Sequence, residues 1–291
     1  MQIKHFFLII LIMFFFGSVY PLGKLGTNNI PPILFSALRV LIIFLVILPF
    51  FRFKIPQKNL LIPLLTFSLT MGIGVYVTLY LALDASSLVS PIIIGTQLSV
   101  PFGLILSFVF LKEKISLKKW LLILFAFIGV IIVAYDPRIK DEWLGLLIIS
   151  LMAFFYALAN ILSRLLKDFD AISQIGWHSV ISCIPLFVIS YLIEGNPIEL
   201  LFPMSITTLL IILHASIIVS LIGHGSIFYL YKFYPVATVL PFYSLFPIFG
   251  IIFTFFIFFE IPGIYEIIGG ILVIGSVYLI HKNDQKTKVS K

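Results

Sequence analysis

What constrains this chain most is the recurrence of long apolar runs, broken at short intervals by turn-forming residues, along its whole length. At 1.5 Å of rise per residue, about 20 apolar residues in a helix cross the roughly 30 Å of hydrocarbon in a bilayer. Runs such as Leu8 to Phe16 and Leu210 to Leu213 are apolar on both faces, so the period-two alternation of a transmembrane β-barrel is missing. In lipid every backbone N–H and C=O needs an internal partner, which leaves the helix as the spanning element. Composition agrees. With 61% hydrophobic and 11% charged residues among 291, there is too little polar surface to coat a water-soluble globule.

A yardstick of about 20 residues predicts ten spans, at 5–25, 33–51, 60–82, 88–111, 119–135, 143–163, 171–192, 205–231, 235–259 and 263–281. Breakers sit in the gaps: Asn28-Asn29-Ile30-Pro31-Pro32, Asp136-Pro137, Gly195-Asn196-Pro197 and Pro262-Gly263. Lys4 followed by the apolar run to Phe16 resembles a signal peptide, but no small-x-small cleavage site follows, so the segment reads as the first span.

Charge predicts the orientation. With the N-terminus in the cytoplasm, fifteen basic residues fall inside (Lys4, Arg52, Lys54, Lys58, Lys112, Lys114, Lys118, Lys119, Arg164, Lys167, Lys232, Lys282, Lys286, Lys288, Lys291). Only Lys24, Arg138 and Lys140 fall outside, with Arg39 within a span. That bias over short loops predicts both termini inside and an even number of spans. The net charge of +7 is therefore a topology signal rather than a nucleic-acid footprint, since no basic stripe marks one soluble face.

The same pass weighs against catalysis. The single cysteine, Cys183, lies in an apolar run and reads as a small buried hydrophobe. The five histidines and Cys183 show no zinc spacing. Asp168-Phe169-Asp170 is a literal D-x-D, read as solvated loop carboxylates, and His224 and Ser226 are two apart on one helix and so face different ways. Gly17 to Gly23-Lys24 is one residue too long for a phosphate loop and has Leu25 where Ser or Thr must hold magnesium. No catalytic residue, metal site or cofactor is expected.

An internal repeat is visible. Leu79-Tyr80-Leu81 through Pro101 to Leu111-Lys112-Glu113 parallels Phe228-Tyr229-Leu230 through Pro247 to Phe258-Phe259-Glu260, with proline and glutamate twelve residues apart in the first copy and thirteen in the second. Each copy is followed by a helix bearing a glycine, Gly129 or Gly275. Five spans per copy make two units, 1–135 and 143–281, followed by a basic cytoplasmic tail, 282–291. An odd number of spans forces the second unit to enter the membrane upside down, an arrangement characteristic of transporters with a midplane substrate site.

These residues resemble the EamA family of the drug/metabolite transporter superfamily: the run Pro31-Pro32-Ile33-Leu34-Phe35-Ser36-Ala37-Leu38-Arg39, the copies ending in Glu113 and Glu260, and the glycines that follow. The resemblance covers nearly the whole chain. Gly95-Thr96-Gln97 and the run Pro241 to Gly250 are similar to exporters of O-acetylserine, cysteine and related amino acids, whereas Phe16-Gly17-Ser18 stands where many relatives have Trp-Gly. The resemblance implies ten transmembrane helices around a central cavity lined by the first, third, fourth, sixth, eighth and ninth spans.

Helical spacing nominates side chains for that cavity. Met13, Gly17, Tyr20 and Lys24 share a face of the first span, Tyr76 and Tyr80 of the third, and Ser90, Gln97 and Pro101 of the fourth. Tyr156 and Asn160 share a face of the sixth, Ser220, His224 and Tyr231 a stripe of the eighth, and Tyr243 with Ser244 opens the ninth. The expected substrate contacts are Tyr20, Tyr76, Tyr80, Gln97, Tyr156, Asn160, His224, Tyr243 and Ser244, while His178 and His214 read as interhelical donors. Each tyrosine also has a bland reading, as an interfacial anchor or a helix-to-helix hydrogen bond. Pro91, Pro101, Pro241 and Pro247 are candidate hinges, and Gly72, Gly74, Gly223 and Gly225 permit close helix approach in the third and eighth spans. Arg39 lies about eight residues, or roughly 12 Å, inside the second span. It is expected to be structurally paired, because that span is not among those implied to line the cavity. Glu113 and Glu260 are helix-end charges, for packing or gating.

The expectation is an inner- or plasma-membrane exporter of small amphipathic metabolites, such as amino acids or their derivatives, whose partners are that solute and the bilayer. Another substrate of the superfamily (a drug, a nucleotide-sugar-like or a sugar metabolite) is the alternative, followed by a membrane-embedded enzyme. A passive channel would show a repeated polar ring, and none is visible. No carboxylate lies mid-span, so facilitated efflux and coupling through His224 both stay open.

Overall fold

A chain whose backbone must satisfy itself in lipid should be helical, and the computed structural model contains helices and no strand among the residues it describes: 2–55, 57–112, 115–139, 143–166, 169–201, 204–230, 233–234 and 240–289. Among the described residues, eight helices are long and apolar enough to cross a membrane: α1 (Ile3–Thr27), α2 (Pro32–Phe50), α3 (Lys58–Asp84), α4 (Ser90–Phe110), α5 (Leu117–Ala134), α6 (Trp143–Ser163), α7 (Ile172–Ile193) and α8 (Ile206–Ile227). Two shorter apolar helices follow, α9 (Phe246–Phe258) and α10 (Ile264–Ile280). Large side chains such as Ile62, Ile184, Phe256 and Ile271 stand fully outward, and a surface this apolar suits lipid and not water. The chain is a multi-pass membrane protein.

Local chemistry sets the helix ends. Ser116, Asp170 and Ser205 each accept a hydrogen bond from the backbone amide three residues on, the N-cap pattern that starts α5, α7 and α8. Lys112 and Phe259, the residues before Glu113 and Glu260, both end their helices in the left-handed region, at φ 53° and 55°. Glu113, Tyr231 and the D-x-D residue Asp168 lie outside the described residues, as do the side chains of Pro241 and Ser244. The segment expected as a basic tail continues α10, whose backbone is helical through Val289.

Packing follows the internal repeat. Broad contacts include α5 on α10, α2 on α7, α1 on α9 and α4 on α6. Advancing each helix by five positions turns the first two pairs into themselves and exchanges the last two. Close crossings are bought with glycine: a Cβ on Gly17 would stand 2.7 Å from the Gly250 nitrogen and 2.8 Å from the Phe246 oxygen, so only hydrogen lets α1 lie on α9. At the α5–α10 crossing a Cβ on Gly129 would sit 2.8 Å from the Gly269 oxygen.

Candidate functional site

Three of the described helices, α3, α4 and α8, are irregular midway, and α9 is entered through an irregular turn. The middle of α3 is a π-helix, Thr70–Val75, and so is much of α8, His214–His224. The wider π turn shifts the side-chain register and suits groups that reach five residues back. In α8 the Ser220 hydroxyl donates to the Ala215 carbonyl at 3.0 Å, and His224 Nδ1 lies 3.1 Å from the Val219 carbonyl. In α4 the helix tightens to 3-10 geometry over Thr96–Leu98, and a 3-10 stretch, Leu240–Leu245, leads into α9.

Between these irregular segments lies a cavity of about 90 Å³, room for several waters. Its wall takes Phe16 and Tyr20 from α1, Tyr76 from α3, Thr96 and Gln97 from α4, Tyr156 from α6 and His224 from α8, and is closed by Tyr243 and Phe246. These are the helices the family resemblance implied, with one addition. Arg39 of α2 is also on the wall, although that helix was expected to stay away from it. A second cavity of about 40 Å³ shares Met71, Tyr76, Tyr156 and His224 with the first and runs on to Asn160, Ser163, Gln174 and His178.

Arg39 is 2% exposed. Its Nη1 donates to the Tyr80 hydroxyl at 2.8 Å, and its Nε and Nη2 donate to Ser220 Oγ at 3.2 and 2.9 Å. The guanidinium lies 4.2 Å from the centre of the Tyr76 ring and 5.8 Å from that of Tyr80. Ring faces are worth about 2 kcal/mol to a desolvated cation, against an effective burial penalty of several kcal/mol. Among the described residues no carboxylate bridges Arg39, whereas the half-exposed Arg138 has two, Asp136 and Glu266, each at 2.7 Å.

The other nominated residues divide. Tyr20 is buried and stacks on Phe246 with centroids 5.8 Å apart and planes at 10°. Gln97 is buried with its side-chain oxygen unpartnered. Tyr76, Tyr156, His224 and Tyr243 are wall residues, the histidine ring 4.9 Å from that of Phe16. Tyr80 is off the wall, buried behind Arg39 and against Phe35. Asn160 is exposed at the far end of the second cavity, its Nδ2 donating to the Tyr156 carbonyl of its own helix at 2.8 Å. Ser90 is buried off the wall, because the 3-10 turn breaks the register that placed it on a face with Gln97. Pro91 and Pro247 occupy the first turns of α4 and α9, where a missing N–H costs nothing, and Pro101 follows the 3-10 turn. Gly72, Gly74 and Gly223 are pressed against Ser182, Phe155 and Phe16, but a Cβ on Gly225 would meet nothing within 4 Å.

One end of the bundle is pinned by carboxylates. Glu260 accepts from the Val89 and Ser90 amides at 2.8 Å each, at the start of α4. Glu194 accepts from the Ile33 and Leu34 amides at 2.7 and 2.8 Å, at the start of α2. Both use the orphan donors and positive end of a helix. At the same end Arg138 joins Asp136 to Glu266 and to the Ile261 carbonyl, and Lys24 Nζ donates to the Leu83 carbonyl at 2.8 Å. The guanidinium beside Asp136 holds that carboxyl below its usual range. Glu194 and Glu266 carried no motif that would have nominated them; what marks them is the position of an acid one helix turn or less from a span's end. The second cavity leads toward the opposite end, where α6 finishes and α7 begins.

The sequence matches the EamA-like transporter family over residues 3–135 and 143–281. The chain belongs to that family. As an EamA-like protein it is a transporter rather than an enzyme, and its cavity is a transport site candidate rather than a catalytic pocket. It is similar to a protein of Salmonella typhimurium described as a probable amino-acid metabolite efflux pump, 25% identical over 234 residues, covering 77% of each chain. A protein of Escherichia coli with the same description is 24% identical over 233 residues, again 77% of each chain. A crystal structure superposes with a TM-score of 0.64 at 13% identity, covering 97% of this chain and 99% of that one, a likeness of fold alone.

Proposed function

We propose that this EamA-like transporter exports small amphipathic metabolites, amino acids or their derivatives, across the inner or plasma membrane by alternating access. Ten spans in two inverted halves, 1–135 and 143–281, with both termini in the cytoplasm, form the frame of this reading. The observation that carries it is the cavity itself: polar groups from both halves (Tyr20, Gln97 and Arg39 from one, Tyr156, His224 and Tyr243 from the other) converge on one pocket between irregular helix segments. The descriptions of the two enterobacterial relatives support amino-acid-like cargo. The pairing of α1 with α9 and of α4 with α6 supports two units related by exchange.

With this orientation the carboxylate-pinned end faces outward and the second cavity leads inward, an arrangement that supports loading from the cytoplasm. The wall tyrosines and Gln97 hydrogen-bond the polar part of the cargo, Asn160 stands at the inner approach, and Phe16, Leu79 and Phe246 accept its apolar part. Purified protein in liposomes should show saturable counterflow of at least one amino acid, and an expressing strain should tolerate an excess of it. Absence of both across a full amino-acid panel overturns the proposal.

A further inference from the structure

We infer that Arg39 is the charge partner of the cargo, so that the cavity of this EamA-like transporter selects solutes carrying a free carboxylate; this rests on the proposed transport reading and narrows its substrate class. The guanidinium is buried on the wall of the central cavity, oriented by Tyr80 and Ser220 and backed by the ring of Tyr76. All of these partners are neutral. They aim the fork and leave its charge uncancelled. The chain has twelve acidic residues, and none of those described bridges Arg39. Buried charges in proteins are ordinarily paired, so an arginine that is oriented but unpaired beside a cavity marks the place of an anion that arrives from outside. A planar carboxylate matches the planar donor fork, two parallel N–H bonds to two oxygens.

A second, independent observation points to the other half of the head group. The buried Gln97 side-chain oxygen, on the same wall, has no hydrogen-bond partner. A carbonyl acceptor waiting for a donor suits an ammonium or amide N–H adjacent to the carboxylate. Together they describe a zwitterionic amino-acid head group, and they disfavour simple amines, neutral sugars and apolar drugs.

The test is counterflow in liposomes containing the full-length protein, with six probes (L-serine, L-threonine, L-cysteine, L-glutamine, L-leucine and L-phenylalanine) and the carboxamide of each, which keeps the ammonium and loses the carboxylate. In the wild type at least one acid should exchange ten-fold or more faster than its carboxamide. Arg39→Gln should bring that ratio close to one, and Arg39→Lys should keep much of it. A merely structural arginine would slow acid and carboxamide alike and leave the ratio intact. Equal exchange of acids and carboxamides by the wild type, which needs no variant to fold, overturns the inference while leaving transport through the cavity standing. A ratio unchanged in Arg39→Gln overturns it too. If no acid and no carboxamide moves, the inference falls together with the amino-acid reading.

Discussion

Glu260 at the end of α9 holds the first turn of α4: its two carboxylate oxygens accept from the Val89 and Ser90 amides at 2.8 Å each. A helix that begins under a carboxylate from the other half of the chain cannot tilt away from it without exposing two orphan donors. In the proposed orientation this is the outward end, closed by specific bonds that the proposed alternating-access cycle has to break.

Weakening that latch should open this end of the bundle. In Glu260→Gln the anionic acceptor becomes neutral, and the loss is about 1 kcal/mol, the scale of a helix cap. A cysteine at Ser90, which is fully buried, reports the change in a Cys183→Ser background. Its labelling by a membrane-impermeant maleimide should rise several-fold in the Glu260→Gln variant. Unchanged labelling would show that the cap does not hold this end shut.

The network around Arg39 should be coupled. Tyr80→Phe and Ser220→Ala each remove an acceptor from one buried cation, and hydrogen bonds to a charged group are worth about 1.5–3 kcal/mol. Because both hydroxyls serve the same guanidinium, the double variant should depart from the sum of the singles by about 0.5 kcal/mol or more. Thermal unfolding in detergent measures all three. Strict additivity would mean that the two hydroxyls do not share Arg39.

Gly17→Ala should push α1 off α9, since the added methyl meets backbone atoms that cannot rotate away. Overpacking of this kind costs about 1–3 kcal/mol. Gly225→Ala, whose Cβ would meet nothing within 4 Å, is the matched control and should be close to neutral. Equal melting temperatures for the two variants would refute the tight crossing.

The 3-10 segments ahead of Pro101 and Pro247 place Gln97 and Tyr243 on the wall. Replacing both prolines with alanine lets the helices run on in regular α geometry and turns those side chains away. Flux should fall about ten-fold, 1.4 kcal/mol in barrier terms, with the folded fraction preserved. Undiminished flux from a folded double variant removes these prolines from the mechanism.

Asp136 is held below its usual pKa by the bonded Arg138, so its contribution to stability is complete above about pH 4 and is lost as pH falls through the depressed value. The melting-temperature gap between wild type and Asp136→Asn should therefore be constant near neutrality and shrink on acidification below pH 4. A gap that widens there would have the wrong sign.

The legibility of the chain was uneven for physical reasons. Span positions could be read because bilayer thickness imposes a length on any apolar helix, and α1 to α8 lie within a few residues of their expected places. Tyr20, Tyr76, Gln97, Tyr156, His224 and Tyr243 could be nominated because a polar group inside a span must face protein or water. Asn160 and Tyr80 satisfied the same rule by other means, one bonded to its own helix and one to Arg39.

By itself, the sequence determined that the chain is a helical membrane protein with an internal repeat, since both follow from local apolarity and spacing. Only the tertiary structure decided that Arg39 reaches the cavity, that Glu194 and Glu260 cap helices from the other half, and that α3, α4 and α8 depart from regular geometry where they surround it. Those outcomes depend on which helix lies beside which, and on changes of register no periodicity announces, because a side chain's partner in a bundle is set by the crossing of two axes and not by its neighbours along the chain.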